Sequence, residues 1–106
     1  MKQLIGANFK DKKYLQLDVA LRQKSGTRVK TFAKVERVNA TEKAIFINVV
    51  SNGVKTVMLG WRDVIHKFKD KFKQGDIIVA DVYRMDYKGK KELLIKEFSK
   101  IEKVGG

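Results

Sequence analysis

With 106 residues the chain has room for one domain and a single modest core. Its 24 Lys and Arg against 12 Asp and Glu leave a formal charge of +12, a surplus that repels itself in the compact state and attracts nucleic acid or acidic membrane. The absence of cysteine excludes a disulfide framework, a thiolate nucleophile and a cysteine-ligated metal, and no apolar run approaches the roughly 20 residues of a membrane span.

Residues 1–13 carry few apolar positions and read as an arm or irregular lead-in. Lys2, Lys10, Asp11, Lys12 and Lys13 make the first 20 residues too polar for a signal peptide. An intracellular location, cytoplasm or nucleoid, is the expectation. Leu15, Leu17, Val19 and Leu21 alternate, which predicts a strand with one buried face; Tyr14, Leu17 and Leu21 equally fit one face of a helix. Residues 1–27 are thus an N-terminal arm or an extra strand, ended by Ser25-Gly26-Thr27, and 28–106 form the main domain.

Arg28 to Val38 predicts the first strand of that domain, and its alternation slips between Val35 and Val38 as a β-bulge makes it do. Ala44 to Val50 is the second strand. It runs into Ser51-Asn52-Gly53, and Asn-Gly is a strong hairpin signal because both turn residues need positive φ. Val54 to Leu59 returns antiparallel to it. Trp61, Val64, Ile65, Phe68 and Phe72 then recur at spacings of three and four, predicting a helix of about eleven residues that ends at Gly75. Ile77 to Met85 is the fourth strand, with Ile78, Ala80 and Val82 on one face and Ile77, Val79, Asp81 and Tyr83 on the other. A turn at Lys88-Gly89-Lys90-Lys91 leads to a last strand, Leu93 to Phe98, and Ile101 and Val104 continue the apolar pattern.

A helix between the third and fourth of five strands predicts the all-β, five-stranded OB barrel, with one short helix and a possible extra N-terminal strand. The segments KTVMLGW and QGDIIVADVYRMDYKGKKELLIKEFSKIEKV strengthen this. Here Met58 to Trp61 end a strand, Gly75-Asp76 open the next, Tyr87 precedes Lys88-Gly89, and Leu93 to Val104 close the domain. Over residues 28–104 the pattern resembles the OB domains of replication protein A and the simple archaeal single-stranded DNA-binding proteins. Two departures stand out. Gly60 separates the apolar run from Trp61, which lets the indole turn toward the helix, and the turn after strand two is Ser51-Asn52-Gly53 instead of an Asp-containing one.

Catalysis is not expected, and neither is a cofactor or metal. His66 is the only histidine and sits among Asp63, Lys67 and Lys69 on a solvent-side helical face. Gly89-Lys90-Lys91 lacks the earlier glycine and the following hydroxyl of a phosphate loop. Asp76, Asp81 and Asp86 read as solubilising and locally paired. Binding has the better support, because single strands are held by flat rings and by cations along the backbone. The candidates are Trp61, Tyr83 and Tyr87 with Arg62, Arg84, Lys88, Lys90 and Lys91, plus a second run of Lys30, Lys34, Arg37 and Lys55. Phe32 and Phe46 are either exposed platforms or core residues displaced by a bulge. Trp61 fits the helical stripe as well as the groove, and Tyr87 fits a cover for the barrel end as well.

The resulting expectation is a non-catalytic, sequence-tolerant binder of single-stranded DNA. Single-stranded RNA is the alternative ligand. A third reading is an assembly subunit that uses Phe46 and Ile77 against a protein partner or a second copy. No membrane partner is expected.

Overall fold

The structure, a computed structural model, describes residues 14–105. After an isolated parallel bridge from Leu15 to Thr31 the chain forms a short helix α1 (Leu17–Leu21). Strands β1 (Arg28–Ala40), β2 (Ala44–Ser51) and β3 (Val54–Trp61) follow. A 3-10 turn (Arg62–Val64) runs into helix α2 (Ile65–Phe68), and β4 (Ile77–Tyr87), β5 (Lys90–Ile95) and β6 (Lys100–Gly105) complete the order.

The strands lie in the order β1-β2-β3-β5-β4, and β4 also pairs with β1, which closes the barrel. Every pairing is antiparallel except β3 with β5. This is the five-stranded OB arrangement that the turn and period signals predict. One strand serves two neighbours: Arg28 to Lys34 pair with β4, whereas Lys34 to Ala40 pair with β2. The corner is made by a bulge between Val35 and Arg37, where the expected slip in alternation falls. Val35 N donates to the Asp76 carbonyl oxygen (2.7 Å), and Gly75 N donates to the Val35 carbonyl oxygen (2.8 Å), so both backbone groups of Val35 stay satisfied.

The core has one inner face. Val29, Ala33 and Val35 from β1 meet Ile45, Ile47 and Val49 from β2, Met58 from β3, Ile78, Ala80 and Val82 from β4, and Leu93 and Ile95 from β5. Leu17, Ala20 and Leu21 of α1 belong to this cluster, as do Val64, Ile65, Phe68 and Phe72 from the segment after β3. Two hairpin turns set the register. Asn52 and Gly53 both take positive φ (50° and 80°), as the Asn-Gly pair predicts, and Lys88 and Gly89 do the same (52° and 78°).

Three local expectations are corrected. The Leu15–Leu21 alternation does not become a strand. Leu17, Ala20 and Leu21, at helical spacing, are the covered residues, so the helical alternative holds there. The helix before β4 is shorter than eleven residues, although Val64, Ile65, Phe68 and Phe72 keep their buried stripe and Trp61 leaves it. The last predicted strand stops at Ile95. Among the described residues the strand added to the barrel is the C-terminal β6, paired with the first half of β4. The remainder of the proposed N-terminal arm, residues 1–13, lies outside the described residues.

Candidate nucleic-acid interface

Register decides which side chains share the outer face of β2, β3, β5 and β4. Ile47, Met58 and Leu93 belong to the core, so their chain neighbours Phe46, Leu59 and Leu94 point the other way. Phe46 lies opposite Leu59, Leu59 beside Leu94, and Leu94 opposite Tyr83, which gives one apolar row across four strands. A second row holds Arg37 opposite Asn48, Asn48 opposite Val57, and Glu92 opposite Met85. Lys55 lies opposite Val50, and Lys90 opposite Tyr87.

Trp61 ends β3 and is 44% exposed, whereas Leu59, two residues earlier on the same face, is fully covered. Gly60 is the reason for this placement. A Cβ there would lie 2.4 Å from Val64 Cγ2 and 3.0 Å from Ile45 Cγ2, so only glycine lets the 3-10 turn fold down against β3. The indole is left outside and meets Tyr87 edge to face, with ring centroids 6.1 Å apart. Lys88 Nζ lies 5.3 Å from the Tyr87 ring centroid. Arg62, exposed, follows Trp61 directly. Between Lys55, Lys90 and Lys91 a cleft of about 440 Å³ opens, also lined by Glu36 and Glu92.

Acidic groups temper this surface. Glu36 Oε2 lies 3.7 Å from Lys55 Nζ. Burial holds the Glu92 carboxyl above its ordinary range, and the nearby Lys90 opposes that shift. Each aspartate that recurs along and before β4 ties up a cation. Arg28 donates twice to Asp81, at 2.8 and 2.7 Å, and these bonds hold the Asp81 carboxyl below its ordinary range. Asp76 is buried, accepts from Lys73 N (3.0 Å) and lies 3.4 Å from Lys103 Nζ. Asp86 pairs with Arg84 (2.8 Å).

The predicted residues therefore separate into groups. Trp61, Tyr83, Tyr87, Phe46, Arg37, Lys55 and Lys90 share the outer face, with Arg62, Lys88 and Lys91 along its margin. Lys30 faces elsewhere, opposite Asp81 in the β1–β4 pair, and Lys34 sits at the corner opposite both Ile77 and Val50. Two placements are corrected. Arg84 is buried, because even positions of β4 point inward. Its guanidinium donates to the Leu21 carbonyl oxygen (2.8 Å), to the Met85 carbonyl oxygen and to Asp86, at the barrel end that α1 covers. Phe32 is 1% exposed, opposite the likewise buried Val79, so it offers no platform. Ile77 is also covered, and only Phe46 of the proposed protein-contact pair is partly open.

Sequence reasoning missed Phe98. It is 58% exposed, and its ring meets Tyr83 edge to face at 5.8 Å. Strand parity does not reach Phe98, because β5 ends at Ile95 and the ring is held out by the Lys96–Ser99 turn.

No family model and no curated protein matches this chain. Solved structures do. The Schizosaccharomyces pombe Pot1pC domain bound to single-stranded DNA is similar, with a TM-score of 0.69, 16% identity, and 86% of each chain covered. The replication factor A related protein from Methanobacterium thermoautotrophicum matches with a TM-score of 0.67 and 16% identity, over 80% of this chain and 87% of its own. The Ifi202 HINa domain in complex with 20 bp double-stranded DNA matches with a TM-score of 0.73 and 18% identity, over 87% of this chain and 47% of its own. The chain spans about half the length of the HIN-domain chains it matches. At these identities the likeness establishes the fold: an OB barrel carrying one additional strand.

Proposed function

We propose that this barrel binds single-stranded nucleic acid, DNA in the first instance, without catalysis and with little sequence preference. One observation carries the reading: the ring pair of exposed Trp61 and half-buried Tyr87 shares its face with Lys55 and Lys90, with Lys88 and Arg62 at the margin. Rings accept any base on their flat sides, each worth about 1–3 kcal/mol, while the cations release counterions from the phosphates. The similar Pot1pC domain is bound to single-stranded DNA and the similar HINa domain to a duplex; the exposed Trp61 ring favours the single strand, since an intact duplex offers it no unpaired base to stack on.

Trp61, the only tryptophan, reports on this directly. Titration with dT, rU and duplex oligomers of about 10–20 nucleotides should quench its fluorescence most with dT. The log-log salt slope should lie near −3.5, corresponding to about five phosphate contacts at roughly −0.7 each. A tenfold preference for rU, about 1.4 kcal/mol, reassigns the ligand to RNA. No binding of any oligomer at low salt would reject the proposal.

A further inference from the structure

The turn after β5 holds an aromatic ring out in solvent. Ser99 N donates to the Lys96 carbonyl oxygen (2.9 Å), Lys96 N donates to Ser99 Oγ (2.9 Å), and Lys67 Nζ donates to the Glu97 carbonyl oxygen. These bonds fix the turn, and Phe98 projects from it 58% exposed while Ser99 beside it is buried. A lone exposed Phe needs no explanation. This one does not stand alone. Its ring meets the half-buried Tyr83 at 5.8 Å and 82°, and Lys96 Nζ sits 4.8 Å from the Tyr83 ring centroid.

We propose that Phe98, with Tyr83 and Lys96, forms a second stacking station for an unpaired base, one that lengthens the path beyond the Trp61–Tyr87 pair. The inference rests on the nucleic-acid reading above and deepens it. Register supplies the continuity. Gly60 lies beside Ile95, so Trp61 and Lys96 follow the last paired residues at the same end of the β3–β5 ladder, and Tyr83 is opposite Leu94 on the same face as Trp61. Phosphate has somewhere to go as well. A cavity of about 230 Å³ next to the turn is lined by Lys67, Lys71 and Lys100, and the Lys71 ammonium lies 5.6 Å from the Phe68 ring centroid. Glu102 also lines it and Glu97 lies in the turn, so three ammonium groups stand against two carboxylates. Because the turn is already fixed, little ordering remains to offset the stacking energy.

The test is a length series. Anisotropy of labelled dT oligomers from about 4 to 16 nucleotides is measured for wild type, Phe98→Ala and Phe98→Trp at one salt concentration. Phe98→Ala should melt as wild type does. It should bind the longest oligomer about 5–150-fold more weakly, the shortest bound oligomer within about twofold of wild type, and Phe98→Trp should restore the loss. Equal binding of wild type and Phe98→Ala at every length, or an equal loss at every length, overturns the second station and leaves the Trp61–Tyr87 site standing. Wild type that binds at no length overturns both readings together. Self-association that Phe98→Ala abolishes, with dT affinity unchanged, assigns the ring to a protein interface and overturns the inference too.

Discussion

Arg84 donates to the Leu21 and Met85 carbonyl oxygens and to Asp86, and its charge is spent on closing the barrel end. Arg84→Met removes all three bonds and leaves the Leu21 carbonyl oxygen unpaired, so it should cost about 3 kcal/mol of stability. Per folded molecule, its affinity for dT should match wild type. Lys90→Gln, on the outer face, should do the reverse: the urea midpoint holds, affinity falls, and the salt slope becomes shallower by roughly 0.7. Urea melts and dT titrations at three salt concentrations separate the two behaviours. Parity along β4 places Arg84 inside with Ile78, Ala80 and Val82, so its position was legible in the strand pattern even though its charge suggested the groove. Glu92 makes a second residue-scale prediction. Its carboxyl titrates higher folded than unfolded, so the folded state holds more protons between those two values, and the contribution of Glu92 to stability falls as pH rises through that window. Glu92→Gln should therefore match wild type near about pH 4 and exceed it near about pH 7 in urea midpoint. At neutral pH it should also bind dT several-fold more tightly, because a like charge facing the phosphates is gone. An unchanged pH profile would contradict the buried-carboxyl account.

At the scale of elements, the junction from β3 to α2 decides whether the site exists. Gly60 has no room for a side chain, and the nearest obstacle is Val64, which anchors the 3-10 turn in the core. Gly60→Ala should destabilise the fold by about 1–3 kcal/mol, as overpacking does, and should change the Trp61 emission as the turn shifts. Thermal melts and emission spectra check this. Stability and emission both equal to wild type would show that the turn does not depend on glycine. The element order itself was legible, because hairpins announce themselves: Asn52-Gly53 and Lys88-Gly89 sit where both turn residues take positive φ. The short pieces were not. Seven residues are too few for period two and period 3.6 to be told apart, so Leu15 to Leu21 reads either way until Ala20 is known to be buried. The break after Ile95 was hidden for a similar reason: an apolar Phe98 prolongs a strand pattern that the Lys96–Ser99 turn has already ended.

For the whole molecule, a net charge of +12 does not translate into twelve cations on one wall. Arg28, Arg84 and Lys103 are bound to aspartates. Lys30 faces the β1–β4 side, and Lys67 and Lys71 lie on the α2 side near Phe68. What the outer face of β2, β3, β5 and β4 has in addition is rings: Phe46, Trp61, Tyr83, Tyr87 and, at its edge, Phe98. Charge alone pointed to the class of ligand, whereas register was needed to say which side receives it. The most direct measurement is backbone amide chemical-shift mapping during titration with a dT oligomer. Perturbations should concentrate on residues 46, 55–62, 83–91 and 96–102, while 29–34 stay still. Perturbations centred on the β1–β4–β6 side, with the Trp61 and Tyr87 resonances unmoved, would contradict this placement.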